Sequence, residues 1–263
     1  MLAEQINAYM AERGCTFEVR FYESVGSTNT VLAELARSGA PEFTAVIAGT
    51  QTAGRGRGEH RFFSPAGCGI YFSLLLRPKF PAETAAKLIT PAAAVAAAQA
   101  IECVSGETAG IKWVNDIFAR GRKVCGILTE AGTDLESGRL EWLVVGIGLN
   151  LTSTAADWPP ELADKAGSLY PGGPAPVPRA ALAGAIAREL LSLCPAFDCL
   201  DEYRARCFVP GHWVTVCTGT ESYAAKAVAI DDAGRLIVQR EGGRTEALCH
   251  GEVSIRPSPL AVK

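Results

Sequence analysis

The chain has 263 residues, with 25 Lys+Arg against 28 Asp+Glu for a formal charge of −3, and it is 48% apolar and 20% charged. That length fits one large domain, or one domain and a small appendage, and it can build a core without a metal or disulfide staple. The near-neutral balance argues against a general binder of nucleic acid or anionic membrane, since both reward clustered Lys and Arg, but it leaves room for a local basic patch.

Residues 2–13 have the pattern of a short helix, and residues 16–22 alternate as a strand. Ser27-Thr28-Asn29 offers capping side chains to a following helix that Gly39 closes. Residues 44–48 and 70–76 read as apolar strands separated by a glycine-rich stretch. Residues 82–104 form a long alanine-rich helix that Pro91 bends or divides. Its apolar run, 88–101, is broken by Thr90, Pro91 and Gln99 and reads as too short and weakly apolar to span a bilayer. Strands are expected at 109–114, 123–130 and 140–149, then an irregular loop with six prolines over 152–178, then helices at 179–193 and 198–206. Four short β segments follow at 212–219, 223–231, 235–241 and 245–256, which fits a small barrel. The expected fold class is α+β: a mixed sheet flanked by helices in a larger domain, residues 1–206, then a small all-β domain, residues 207–263.

The nine cysteines are scattered and include no C-x-x-C, so neither a zinc site nor a disulfide framework is indicated. No basic-flanked apolar segment opens the chain, so the expectation is a cytoplasmic protein with reduced thiols. The histidines at 60, 212 and 250 are too dispersed for acid–base or nucleophilic work, and structural roles are the default.

The most unusual stretch is 51–61, Gln-Thr-Ala-Gly-Arg-Gly-Arg-Gly-Glu-His-Arg, with three glycines and three arginines. Glycine lets backbone amides approach a ligand, and arginine forks match phosphate or carboxylate oxygens. Neither G-x-G-x-x-G nor G-x-x-x-x-G-K-[ST] is present. A solvated basic hairpin or an RGG-like nucleic-acid contact explains the same residues. Lys112-Trp113-Val114-Asn115-Asp116 sits where a strand enters a turn, and an inward lysine there needs a carboxylate or an anionic substrate. A surface lysine lying over Trp113 is the plainer alternative. Gly146-Ile-Gly-Leu-Asn150 permits close ligand approach, or tight packing on a helix.

Order and spacing carry more than any one motif. Ser27-Thr28-Asn29, Gln51-x-x-Gly-Arg-Gly-Arg57, Ser64-Pro65, Lys112-Trp-x-Asn-Asp-Ile, Gly126-Ile-Leu-x-Glu130 and Gly146-Ile-Gly-x-Asn150 resemble the biotin–protein ligase family from about residue 18 to the C-terminus. The resemblance implies a class II synthetase-like catalytic domain followed by an SH3-like barrel. It also implies two steps in one pocket. Biotin's carboxylate attacks the α-phosphate of Mg-ATP to give biotinyl-5'-AMP, and a lysine of a biotin carboxyl carrier protein, as in acetyl-CoA carboxylase, then takes the acyl group.

By the same resemblance, Arg57 and Lys112 are the catalytic cations. Ser27, Thr28, Asn29, Gln51, Arg55, Gly56, Arg57, Lys112, Gly126 and Gly148 surround biotin, while Arg57, His60, Phe62, Lys112, Asn115 and Asn150 meet ATP. Biotin and ATP are thus the expected small-molecule substrates, with Mg2+ accompanying the nucleotide, and no metal ligand is identified. A lipoate or octanoate ligase or transferase of the same fold is the nearest rival, and a non-catalytic nucleic-acid binder is a more distant one.

The loop departs from the family's GRGRRGRxW. Gly58, Glu59, His60 and Phe62 stand where Arg, Gly, Arg and Trp are usual, Glu59 is expected to need a glycine-like backbone, and weaker adenylate retention follows. Only 26 residues precede Ser27, too few for the winged-helix unit of some members, so no DNA binding and no membrane association are expected. An exposed strand edge would suit a homodimer or the carrier.

Overall fold

The computed structural model describes residues 2–12, 14, 18–78, 82–134, 139–194, 197–219 and 221–256, without the side chains of 82–86. Strand β7 (Leu140–Asn150) lies near the middle of a seven-stranded mixed sheet, and its alternation separates the two faces. Leu143, Val145, Ile147 and Leu149 enter the main core with the alanines of α3 (Ala82–Ser105) and with α4 (Arg179–Leu193). Trp142, Val144, Gly146, Gly148 and Asn150 face the other way.

The sheet order is β1 (Val19–Val25), β2 (Ala45–Gln51), β3 (Gly69–Leu76), β7, β6 (Arg122–Thr133), β5 (Asp116–Ala119) and β4 (Gly110–Lys112). Only β1 and β2 pair in parallel. On the second face α2 (Thr28–Arg37) sets Leu32, Ala33 and Ala36 on Val46, Leu75, Trp142 and Val144, a small core of its own. Beyond that helix the face is partly covered: Ala48, Tyr71 and Asn150 are buried, and Gly126 and Gly148 are half-buried. Register then lines up one row across six strands: Lys112, Asp116, Gly126, Gly148, Tyr71 and Ala48. Cross-strand partners share a face, so these residues point to the same side.

The C-terminal region is a five-stranded antiparallel sheet of β8 (Trp213–Thr218), β9 (Glu221–Ile230), β10 (Leu236–Arg240), β11 (Thr245–Leu248) and β12 (Glu252–Ile255). Val214, Val216, Ala225, Ala227, Leu236 and Val238 join the main core, so the apolar interior runs unbroken into it. Helices α1 (Leu2–Ala11) and α5 (Leu200–Arg206) complete the structure.

Several expectations are corrected. The stretch 109–114 is not one strand: β4 ends at Lys112 and turns into β5, with Asn115 Nδ2 donating to Ile127 O at 2.7 Å to tie the turn to β6. The last β segment is two strands, β11 and β12, and the proline-rich loop contains a 3-10 turn at Ala155–Asp157. Pro91 does not divide α3, which runs through it; Gly234 of the small domain packs there, its notional Cβ 3.2 Å from Pro91 Cγ and 3.6 Å from Lys87 O. Over Lys87–Ser105 that helix does meet the length and composition for a membrane crossing, contrary to the sequence expectation, and it serves here as a core helix. The first strand begins at Val19 and extends to Val25; residues 13, 16 and 17 of the expected elements lie outside the described residues.

Candidate active site

Three glycines on this face, Gly126, Gly146 and Gly148, make a floor, and two neighbours occupy it. Gly146 faces Asn29, whose Oδ1 would lie 2.1 Å from a Cβ there; Gly148 faces the Phe62 ring, at 2.6 Å. Gly126 lies under the same ring, at 3.4 Å. Phe62 is held edge-on against Tyr71, centroids 6.5 Å apart, and thus covers the glycine pair that the resemblance associates with biotin.

At the inner end, α2 starts at Ser27, whose backbone has N-cap geometry but whose hydroxyl makes no capping hydrogen bond, so the expected cap is not made. Thr28 N and Oγ1 both donate to Gln51 Oε1, at 2.9 and 3.1 Å. Gln51 Nε2 donates to Ser64 Oγ at 2.8 Å, and Ser64 Oγ to Phe62 O at 3.1 Å. Ser73 Oγ donates to Asn29 Oδ1 at 2.6 Å, with Thr28 Oγ1 2.8 Å away. Ser27, Thr28, Asn29, Ser64 and Ser73 are all buried, so these bonds form a water-excluded polar network.

The glycine–arginine loop crosses above. Arg55 Nη1 lies 2.8 Å from Glu130 Oε1 on β6. Gly56 has little room for a side chain, a Cβ there being 3.2 Å from His60. The left-handed residue of the loop is Gly58, φ 59°, and not Glu59, so the substitution at 59 is made without backbone strain.

The small domain reaches this loop through the turn between β11 and β12. Arg57 Nη1 donates to Gly251 O at 3.4 Å, and His60 Nε2 lies 2.5 Å from Glu252 Oε1. Lys112 is half-buried, and that burial lowers its pKa below the ordinary 10.5; Asp116 and Glu252 oppose the shift, while Lys123 and Lys165 add to it. Lys123 Nζ pairs with Asp116 Oδ1 at 2.5 Å. Trp113 is buried and donates from Nε1 to Gly234 O at 3.0 Å, so Lys112 does not lie over Trp113 and points to the same face as Asp116.

Asn115 and Asn150 are spent on backbone: Asn115 on Ile127 O, and Asn150 Nδ2 on Gly167 O at 3.0 Å. A cleft of about 590 Å³ runs between α2 and the loop, lined by Ser27, Arg55, Gly56 and His60 among the expected residues. Lys112, Arg57 and the glycines at 126 and 148 do not line it.

The sequence pattern of the Biotin/lipoate A/B protein ligase family matches residues 21–150, and that of the biotin protein ligase C-terminal domain matches residues 211–256. The bifunctional ligase/repressor BirA of Bacillus spizizenii is 36% identical over 235 residues, covering 85% of this chain and 70% of that one. The chain belongs to the biotin–protein ligase family. Within that family, the biotin–[acetyl-CoA-carboxylase] ligase of Mycobacterium tuberculosis is 33% identical, covering 87% of this chain and 85% of that one. The biotin protein ligase from Aquifex aeolicus in complex with biotin and ATP superposes with a TM-score of 0.71 at 27% identity, covering 92% and 99% of the two chains.

Five residues of this cluster carry no role in the sequence reading. Ser73 sits in a strand where nothing marks it, and Ser64 belongs to the Ser64-Pro65 motif, to which no role is attached. Lys123 and Glu252 approach the site only through register and domain packing. Glu130 did leave a signal: it stands two and four residues beyond Leu128 and Gly126 on the same strand face.

Proposed function

We infer that this chain is an ATP-dependent biotin–protein ligase that forms biotinyl-5'-AMP from biotin and ATP and transfers the biotinyl group to a lysine of a biotin carboxyl carrier domain. The observation that carries the reading is the row Lys112–Asp116–Gly126–Gly148, with Phe62, just after the glycine–arginine loop, over its glycines and Arg55 of that loop paired with Glu130 on the same face of β6. A bicyclic ureido group needs both donors and acceptors, which Ser27 and the Thr28–Gln51–Ser64 network supply. The carboxylate tail then points to Arg57 and Lys112. Carboxylate and α-phosphate repel each other, and these cations hold them together and stabilise the charge that develops on the phosphorus oxygens.

Phe62 closes the floor over the tail and can stack on adenine beyond it. In the second step the acceptor amine attacks the acyl carbon, the amide forms, and AMP leaves with its phosphate still on Arg57 and Lys112. In this reading Mg2+ arrives on the nucleotide phosphates. When bound, the ion neutralises phosphate charge. We place the domain boundary between Arg206 and Cys207. The cytoplasm is the compartment that fits, the eight cysteines among the described residues being unpaired.

The test is incubation with ATP, biotin and a carrier domain, followed by mass measurement of the carrier. A gain of one biotinyl group is expected. No gain, or an equal gain from lipoate offered in place of biotin, overturns the reading.

A further inference from the structure

We propose that Glu130 is the positioning residue of the biotin end of this site. Its carboxylate fixes the orientation of Asn29 on one side and of Arg55 on the other; this rests on the ligase reading above.

Glu130 faces α2 and the loop from β6, opposite Val144, on the same strand face as Leu128 and Gly126. Its side chain is three-quarters covered, with 25% exposure, so its charge needs partners. It has two, one on each oxygen. Asn29 Nδ2 donates to Oε2 at 2.9 Å, and Arg55 Nη1 lies 2.8 Å from Oε1. The carboxylate therefore bridges the start of α2 to the glycine–arginine loop, two segments far apart in sequence.

The bridge also sets direction. Asn29 Nδ2 donates a second bond to Leu128 O at 3.2 Å, so both amide hydrogens point at β6 and the amide oxygen is turned to Ser73 and Gly146. Ser73 is then the donor to Asn29. Thr28 donates onward to Gln51 Oε1, and that leaves Gln51 to present its NH2 to Ser64. Reversing the Asn29 amide would set its oxygen against Glu130 and the Leu128 carbonyl and its NH2 against the Ser73 proton. The anionic acceptor thus acts with Leu128 O and the Thr28 N–H to order a run of otherwise reversible groups, from β6 to the loop residue Ser64.

The chemistry of the position is specific. Both partners are donors, so only a group with two acceptor atoms satisfies both. Glutamine has the shape but offers one acceptor and one donor, and its NH2 must face either Asn29 Nδ2 or Arg55. Aspartate is one methylene short of spanning the two.

The experiment is steady-state, biotin-dependent pyrophosphate release by the full chain. Wild type must first show that release; none at all overturns the ligase reading and not merely the role of Glu130. With it established, Glu130→Gln is expected to raise the KM for biotin about tenfold, with kcat and the KM for ATP within about twofold and the melting midpoint unchanged within a few degrees. Arg55→Gln, at a half-exposed side chain, keeps the test decisive if the first variant folds poorly, and it should raise the biotin KM similarly. The double variant should be little worse than either single one, because both remove the same contact. A biotin KM within twofold of wild type in either single variant overturns the proposal. So do fully additive effects, or biotin and ATP KM values that rise together as the melting midpoint falls, which would mark a merely structural acid.

Discussion

The two faces of β7 differ more than any two regions of this molecule. One face carries Leu143, Val145, Ile147 and Leu149 into an apolar interior shared with α3, α4 and the small domain. The other carries Trp142 and Val144 under α2, then Gly146 under Asn29, Gly148 under Phe62 and the buried Asn150. Residues on the first face fill volume. On the second face, past α2, they withhold it, so that Asn29 and Phe62 can lie directly on the backbone. On the proposed reading the same strand builds stability on one side and a binding surface on the other, and substitutions on the two sides should separate in assays.

The largest effect should come from the filled face. Ile147 is 1% exposed, and Ile147→Ala should lower folding stability by about 2–5 kcal/mol in denaturant titration. Substrate KM values should stay within about twofold below the melting range, since the site lies across the sheet. A changed biotin KM in a folded Ile147→Ala protein would break the separation.

Arg57→Ala and Lys112→Ala should do the reverse. Each should lose about 2.7–4 kcal/mol of transition-state stabilisation, on the order of 10²–10³ in adenylation rate, with the melting midpoint little changed. Near-normal rates in both variants would remove these residues from the chemistry. Lys112 adds a pH signature. Burial lowers its pKa below 10.5, so the cation, and with it kcat/KM for ATP, should be lost on raising the pH before an ordinary lysine would titrate. The folding term has the opposite sign: between the two pKa values the unfolded chain binds the extra proton, so this group's contribution to stability rises with pH. Lys112→Arg should abolish the alkaline limb of the residual activity.

Smaller effects are expected from filling the floor. An alanine at 148 meets Phe62 at 2.6 Å, a ring that can swing, whereas one at 146 meets Asn29 at 2.1 Å in a fully bonded network. Gly148→Ala should therefore raise the biotin KM while leaving the melting midpoint near wild type. Gly146→Ala should also cost about 1–3 kcal/mol of stability as overpacking. Equal melting losses in the two would show that Phe62 is as fixed as Asn29.

The sequence made much of this legible because periodicity reports faces. The apolar run of β7 was legible as a strand and the alanine-rich run as a long helix, while the glycines at 146 and 148 left close ligand approach and tight packing on a helix both open. The Lys112–Asp116 segment was legible as the place where a strand enters a turn, but the strand was drawn on to residue 114: a three-residue turn between two very short strands leaves too few alternations to count. Ser27-Thr28-Asn29 was legible as a polar start to a helix, but its use was not, since Thr28 and Asn29 are claimed by Gln51, Ser73 and Glu130 at distances of 23 to 101 residues along the chain. Contacts of that span depend on register, which one sequence does not display. The same holds for Glu252, which enters the site only because the small domain docks through Gly234 on α3 and Trp113.

Glu252 gives the smallest expected effect and the sharpest test of how far the proposed cationic end of the site extends. Its pair with His60 is short but exposed, 63% and 68%, and such pairs contribute about 0–1 kcal/mol. The loop's other tie to the small domain is the long bond from Arg57 to Gly251 O. Glu252 also lies close enough to Lys112 to favour its charged form, so its carboxylate sits beside a cation that the proposed reading assigns to phosphate. Removing that charge should help an incoming triphosphate more than losing the His60 pair hurts. Glu252→Gln is therefore expected to lower the KM for ATP, by no more than about fivefold at low ionic strength, and the difference should fade near 1 M salt as the exposed charges are screened. A KM that rises instead, or a difference indifferent to salt, would mean that Glu252 positions the nucleotide directly and that the cationic end of the site belongs to both domains.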